Sequence, residues 1–147
     1  MTLLVDTNIL VRIADRSDAA HPTARRAVRK LFRQGDELVV TLQNFAEFWA
    51  VATRPKAVNG LGVPVALADK WLQRFERICT VLPDTPDVYR EWRRLIVTYA
   101  VAGVQVHDAR LAAAMLAHGV THVLTFNAGD FARFAPEGLT PADPAGV

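Results

Sequence analysis

Short apolar runs alternate with longer amphipathic stretches along this chain, and that alternation predicts a fold before any single residue is considered. Residues 2–6, dominated by Leu3-Leu4-Val5, read as a buried strand, followed by a helix over 7–14. Pro22 opens a strongly amphipathic helix that runs to Gln34, with Gly35 as its stop. Leu38-Val39-Val40-Thr41 is a second strand, and 43–53 is a helix. Two prolines, two glycines and an asparagine mark 54–64 as a loop. A helix over 65–78 leads into the short strand Thr80-Val81-Leu82. Pro83 and Pro86 then precede a long helix over 87–101, which Gly103 breaks. The next helix spans 107–118 with Gly119 as its stop, and His122-Val123-Leu124-Thr125 is a fourth strand. A helical turn after Gly129-Asp130 and a small edge strand at Leu139-Thr140 complete the pattern, with 142–147 expected as a frayed tail.

Apolar strands separated by helices imply a mostly parallel sheet covered on both faces. The expected architecture is a three-layer α/β/α domain with four to five strands. A length of 147 residues fits one such domain over 1–147, and 51% hydrophobic content is enough to fill its core. No apolar run is long enough to span a bilayer. Met1-Thr2 leads directly into the first strand, which leaves no room for a signal peptide. Cys79 stands alone, so an internal disulfide and a cysteine-based zinc site are excluded and a reducing cytoplasm is the expected compartment. The net charge of +2 says little about nucleic acid, but its distribution says more. Arg25, Arg26, Arg29, Lys30 and Arg33 fall at helical spacing opposite Ala24, Ala27, Val28, Leu31 and Phe32, and Arg90, Arg93 and Arg94 form a second basic group. Such faces are either solvated or in contact with phosphates.

Four acidic or acid-like positions change the picture. Asp6 ends the first apolar run, Glu47 sits inside Phe45-Ala46-Glu47-Phe48-Trp49, and Asp108 opens an alanine-rich helix. Asn127 and Asp130 follow the fourth strand in Thr125-Phe126-Asn127-Ala128-Gly129-Asp130-Phe131. Ligands of open α/β sheets bind outside the carboxyl ends of the strands, where both Asp6 and the 125–131 segment lie. Each acid also has a purely structural reading. Asp6, Thr7 or Asn8 can cap a helix, Asp108 suits the helix dipole, and Asp130 can cap a turn. Glu47, in a helix apolar on nearly every side, is expected to be buried and then needs a cation, Arg12 or Arg54, or a cleft. Convergence of all four on one sheet edge would make an all-oxygen site for a hard cation.

Taken together these segments resemble the PIN-domain ribonucleases, and specifically the VapC-type toxins of bacterial toxin–antitoxin pairs. The resemblance rests on Val5-Asp6-Thr7-Asn8-Ile9-Leu10, on Leu42-Gln43-Asn44-Phe45-Ala46-Glu47-Phe48-Trp49, on Val106-His107-Asp108-Ala109-Arg110 and on the 125–131 segment, in that order over the whole chain. It implies a Mg²⁺- or Mn²⁺-dependent endoribonuclease. Asp6 and Asp108 would ligate metal, Glu47 would ligate it or position the attacking water, and Asn127 and Asp130 would share the fourth role. Thr7 and Asn8 would support Asp6, with Thr7 orienting it, and Thr125 would orient the last motif. Arg25, Arg29, Arg93 and Arg110 become candidate RNA contacts. The implied partners are a cognate antitoxin, an RNA substrate and a second copy of the chain in a homodimer, with surfaces drawn from Phe48, Trp49, Trp71 and residues around Ile13.

The family often carries aspartate where this chain has Asn127, which raises the alternative of a PIN domain that binds RNA or protein without efficient cleavage; a PIN nuclease of RNA processing that is not a toxin is the other alternative. A phosphatase of the haloacid type wants a second aspartate at position 8, which is asparagine. A receiver wants lysine after the strand, where Phe126 stands, and no glycine-rich turn follows the first strand for a dinucleotide.

Overall fold

The computed structural model describes residues 1–147 as a five-stranded parallel sheet between two helical layers. In chain order the elements are β1 (Thr2–Val5), α1 (Thr7–Ala14), α2 (His21–Gln34), β2 (Glu37–Thr41), α3 (Leu42–Thr53) and α4 (Val65–Glu76). They continue with β3 (Cys79–Leu82), α5 (Pro86–Thr98), α6 (Val106–Ala117), β4 (His122–Leu124) and β5 (Thr140–Ala142). The strand order is β3-β2-β1-β4-β5, which puts the most apolar strand at the centre.

The period of two in the strands decides which layer each residue feeds. Leu3, Val5, Leu38 and Val40 point to one face, where α1 to α4 cover them. Leu4, Val39 and Val123 point to the other, beneath α5, α6 and the buried Phe131 and Phe134. The alanines of α6 explain its close seat: Ala109, Ala112, Ala113 and Ala114 are all buried, with no bulk to hold the helix off the sheet. No helix is long and apolar enough to cross a membrane.

Three expectations are corrected. The helix expected over 87–101 ends at Thr98, before Gly103, because Ala100 takes a left-handed φ of 48° and the chain closes with Val101 N–H donating to Ile96. Helix α3, apolar on nearly every side, is not buried on every side; Leu42, Ala46 and Ala50 form an exposed stripe, and Glu47 is half-buried at its edge. The tail over 142–147 is not frayed. Ala142 belongs to β5, Pro144 is buried, and a turn over Pro144–Gly146 packs on α2 with Val147 against the core.

Hydrogen bonds past the strand ends position the site. Asp6 N–H donates to Leu124 O at 3.0 Å and Thr125 N–H to Ala142 O at 3.1 Å, which carries the ladder one residue further on each side. Asp6, Thr41 and Thr125 therefore end three adjacent strands at the same edge.

Candidate active site

At that edge Asp6 is buried and fully bonded. Its Oδ1 accepts from Thr7 N–H at 2.7 Å and so caps α1. Its Oδ2 accepts from the Thr125 hydroxyl at 2.8 Å and from Asn8 Nδ2 at 3.0 Å. Asn8 is held in that orientation because its own Oδ1 accepts from Phe126 N–H at 3.2 Å. Thr125 also accepts from Asn127 N–H at 3.0 Å, so one buried hydroxyl ties the first motif to the last. Capping therefore engages only one Asp6 oxygen; the other is held by Asn8 and Thr125.

Glu47 is bonded from both sides. Its Oε2 accepts from the Thr7 hydroxyl at 2.8 Å and its Oε1 from Gln43 Nε2 at 2.8 Å. The Thr7 hydroxyl therefore supports Glu47, while only its backbone N–H reaches Asp6, which corrects the expected pairing. Neither expected partner of Glu47 pairs with it. Arg12 donates to Asn8 O and lies over the Phe126 ring, and Arg54 donates to Asn59 O. Gln43 Nε2 also donates to His107 O at 2.9 Å, and that bond ties α3 to the first turn of α6 beside Asp108. Asn44, fully buried, donates to the Thr7 hydroxyl and closes a capping box with Thr41.

Asp108 and Asp130 differ from these two. Asp108 makes no side-chain hydrogen bond as a helix cap, and Asp130 caps neither of the turns around it. Their proximity to the others is electrostatic. Burial, then the charges of Asp130, Asp6 and Glu47, push Asp108 up to about 6 from an ordinary 3.8. Burial also raises Asp6, against the lowering effect of its Thr125 and Thr7 bonds, and Glu47 and Asp130 raise it further. The structure thus places Asp108 in the fields of Asp130, Asp6 and Glu47, and Asp6 in those of Glu47 and Asp130. Asn127 is exposed and enters only through its backbone N–H.

The basic residues are elsewhere. Arg25 and Arg29 lie on the outer face of α2 beside Arg26, Lys30 and Arg33, in a cleft that none of the four acids lines. Arg93 is on the outer face of α5, and Arg110 pairs with Asp84 at 2.6 Å. No ion pair reaches any of the four acids.

Two features show whether these residues suit a metal. The donors are all carboxylate oxygens, which favour a hard ion, and no ion pair offsets their mutual repulsion; His107 beside Asp108 counters it only as the last of the influences on that acid. Gln43 Oε1 is buried without a partner, an acceptor available to a metal-bound water. No three of the acids stand close enough to make a cage by themselves.

Sequence reasoning missed Gln43 and Asn44 as supporting residues. Their signal was present: two amides in the first turn of an apolar helix, one of them four residues before Glu47 and so on its face.

Comparison with known proteins agrees with the fold. A family model described as PIN domain matches residues 3–136. No curated protein matches the chain by sequence. VapBC-1 of nontypeable Haemophilus influenzae superposes with a TM-score of 0.70 at 17% identity, covering 98% of each chain. VapC20 of Mycobacterium tuberculosis, described as a sarcin–ricin loop cleaving toxin, gives 0.66 at 18% identity over 94% of this chain and 96% of its own. FitAcB of Neisseria gonorrhoeae gives 0.63 at 16% identity over the whole of both chains.

Proposed function

This chain belongs to the PIN-domain family, and on that premise we propose that it is a Mg²⁺- or Mn²⁺-dependent endoribonuclease, the toxin of a toxin–antitoxin pair. The observation that carries the proposal is four carboxylates sharing one field at the sheet edge with no basic partner. Without a cation that edge repels a phosphodiester, so RNA binding is coupled to metal. A bound divalent ion would supply Lewis acidity to the phosphate and a water of lowered pKa.

The chain's own residues do the rest. Asp6 and Asp108 hold the ion, with Asp130 as the fourth acid. Thr125 and Asn8 fix the Asp6 carboxylate, and Thr7 and Gln43 fix both oxygens of Glu47, leaving it one orientation in which to ligate or to align a water. Water adding to the phosphorus breaks the P–O3′ bond, and the departing oxygen takes a proton, which leaves a 5′-phosphate and a 3′-hydroxyl. The likeness to a sarcin–ricin loop cleaving toxin supports RNA as substrate and inhibition of translation and growth as outcome. The likeness to VapBC and FitAcB chains supports a cognate antitoxin as partner. The exposed Leu42, Val65 and Leu67 offer apolar surface for it or for a second copy of the chain, whereas Phe48 is spent in the core. The binding-only alternative drew on Asn127; the charge of Asp130 felt by Asp6 and Asp108 supports the cleaving reading over it.

Purified protein incubated with total RNA tests the reading. Cleavage is expected with Mn²⁺, absent with EDTA, and absent in Asp6→Asn; cleavage that survives chelation or that variant contradicts it.

A further inference from the structure

Beside the carboxylates, on the far side of His107, a cavity of about 420 Å³ opens between the first turns of α5 and α6. Its size falls within the roughly 300–1,000 Å³ of sites that take small organic groups. Two aromatic rings form one wall. Tyr89 is 57% exposed, unusual for a ring so large, and lies 6.4 Å from Trp92 with the planes tilted by 40°. Trp92 is locked in place, because its Nε1 donates to Val106 O at 2.9 Å and Val106 opens α6. Arg110 and Asp84 also line the cavity, pair at 2.6 Å and present a donor fork beside an acceptor.

These features select a class of ligand. A phosphate is disfavoured, since Asp84 already neutralises Arg110 and His107 is the only other basic side chain among the lining residues. A flat neutral group with polar edges fits: the rings give it a stacking face, and the ion pair gives its edge a donor and an acceptor. The cavity is also joined to the active site by covalent and hydrogen bonds. His107 lines it, precedes Asp108, and accepts through its carbonyl from the same Gln43 that holds Glu47.

We propose that this cavity is a nucleobase subsite, in which an unpaired base flanking the scissile phosphate stacks on Tyr89 and Trp92 and is read at its edge by Asp84 and Arg110. The proposal rests on the nuclease reading above and adds to it a requirement for a splayed base. It makes the enzyme selective for single-stranded or looped RNA, because a base held in a duplex cannot leave the stack to enter.

The test uses fluorescein-labelled RNA decamers of each homopolymer and a decamer of abasic ribose phosphate, titrated with Ca²⁺ as the hard cation in place of Mn²⁺, with a gel verifying that each strand stays intact. Wild type is expected to bind at least one base-bearing decamer about fivefold or more tightly than the abasic strand, the ratio that one stacked base provides. Tyr89→Ala should collapse that ratio toward one, and Tyr89→Phe, which keeps the ring, should restore it. Tyr89 is exposed, so the fold tolerates both, and a thermal melt verifies that. A base preference unchanged in Tyr89→Ala overturns the subsite, and more so if antitoxin binding weakens in that variant, which assigns the cavity to a protein partner. Wild type that cuts RNA yet ignores the bases overturns this inference alone. Failure to bind or cut any RNA overturns the nuclease reading with it.

Discussion

The site has a tied half and a free half. Asp6 and Glu47 have every carboxylate oxygen engaged by the chain, through Thr7, Asn8, Gln43 and Thr125. Asp108 and Asp130 stand in the same field, but the chain offers their oxygens no such donors. The tied half is preorganised, and the bonds that orient it also hold β1, α3 and the 125–131 segment together. The free half contributes charge and little structure. Substitutions in the two halves should therefore separate activity from stability.

The largest effect belongs to the tied half. Asp6→Asn removes a charge around which three donors are arranged, and cleavage should fall on the order of a thousandfold or more. Next comes Thr125→Val, which deletes a hydroxyl serving Asp6, Asn8 and Asn127 while keeping its shape. It should slow cleavage by roughly 10- to 100-fold and, by leaving buried groups unpaired, cost about 1–3 kcal/mol in a denaturant melt. If only activity fell, the tied half would not be structural. In the free half, Asp130→Ala should slow cleavage by roughly tenfold with stability unchanged. Asn127→Ala should change neither by more than about twofold, since only its backbone is used. Equal effects of the last two would erase the distinction between them.

The same division explains what the sequence made legible. Strand periodicity and the alanines of α6 announced the parallel sheet and its two layers. The position of Asp6 followed from its place at the end of the most apolar strand. The partners of Thr7 were not legible, because a hydroxyl one residue from Asp6 in sequence turns, once α1 forms, toward Glu47 forty positions away. Local patterns carry no information about such a bond. Nor did composition reveal the seat of the last residues: Ala142, Pro144 and Val147 look like a tail but join an edge strand and fill the space beside α2. The early stop of α5 was hidden for a related reason, since alanine at a left-handed φ leaves no signature.

Asp108 tests the central claim, an acid held near others in want of a cation. Its pKa of about 6 in the folded chain lies above the ordinary 3.8, so the folded state binds the proton more tightly than the unfolded state. That stabilisation is complete below pH 3.8 or so and is lost as pH rises through about 6. At pH 7 the charge costs on the order of 1 kcal/mol, after allowance for a half-exposed group, which corresponds to about 2–4 °C in a protein this size. The measurement is the thermal midpoint at pH 7, with EDTA and with Mn²⁺, for wild type and Asp108→Asn. The account predicts that in EDTA the variant melts about 2–4 °C above wild type, and that Mn²⁺ raises wild type while moving the variant far less. A variant that melts lower in EDTA, or a wild type indifferent to Mn²⁺, would contradict it.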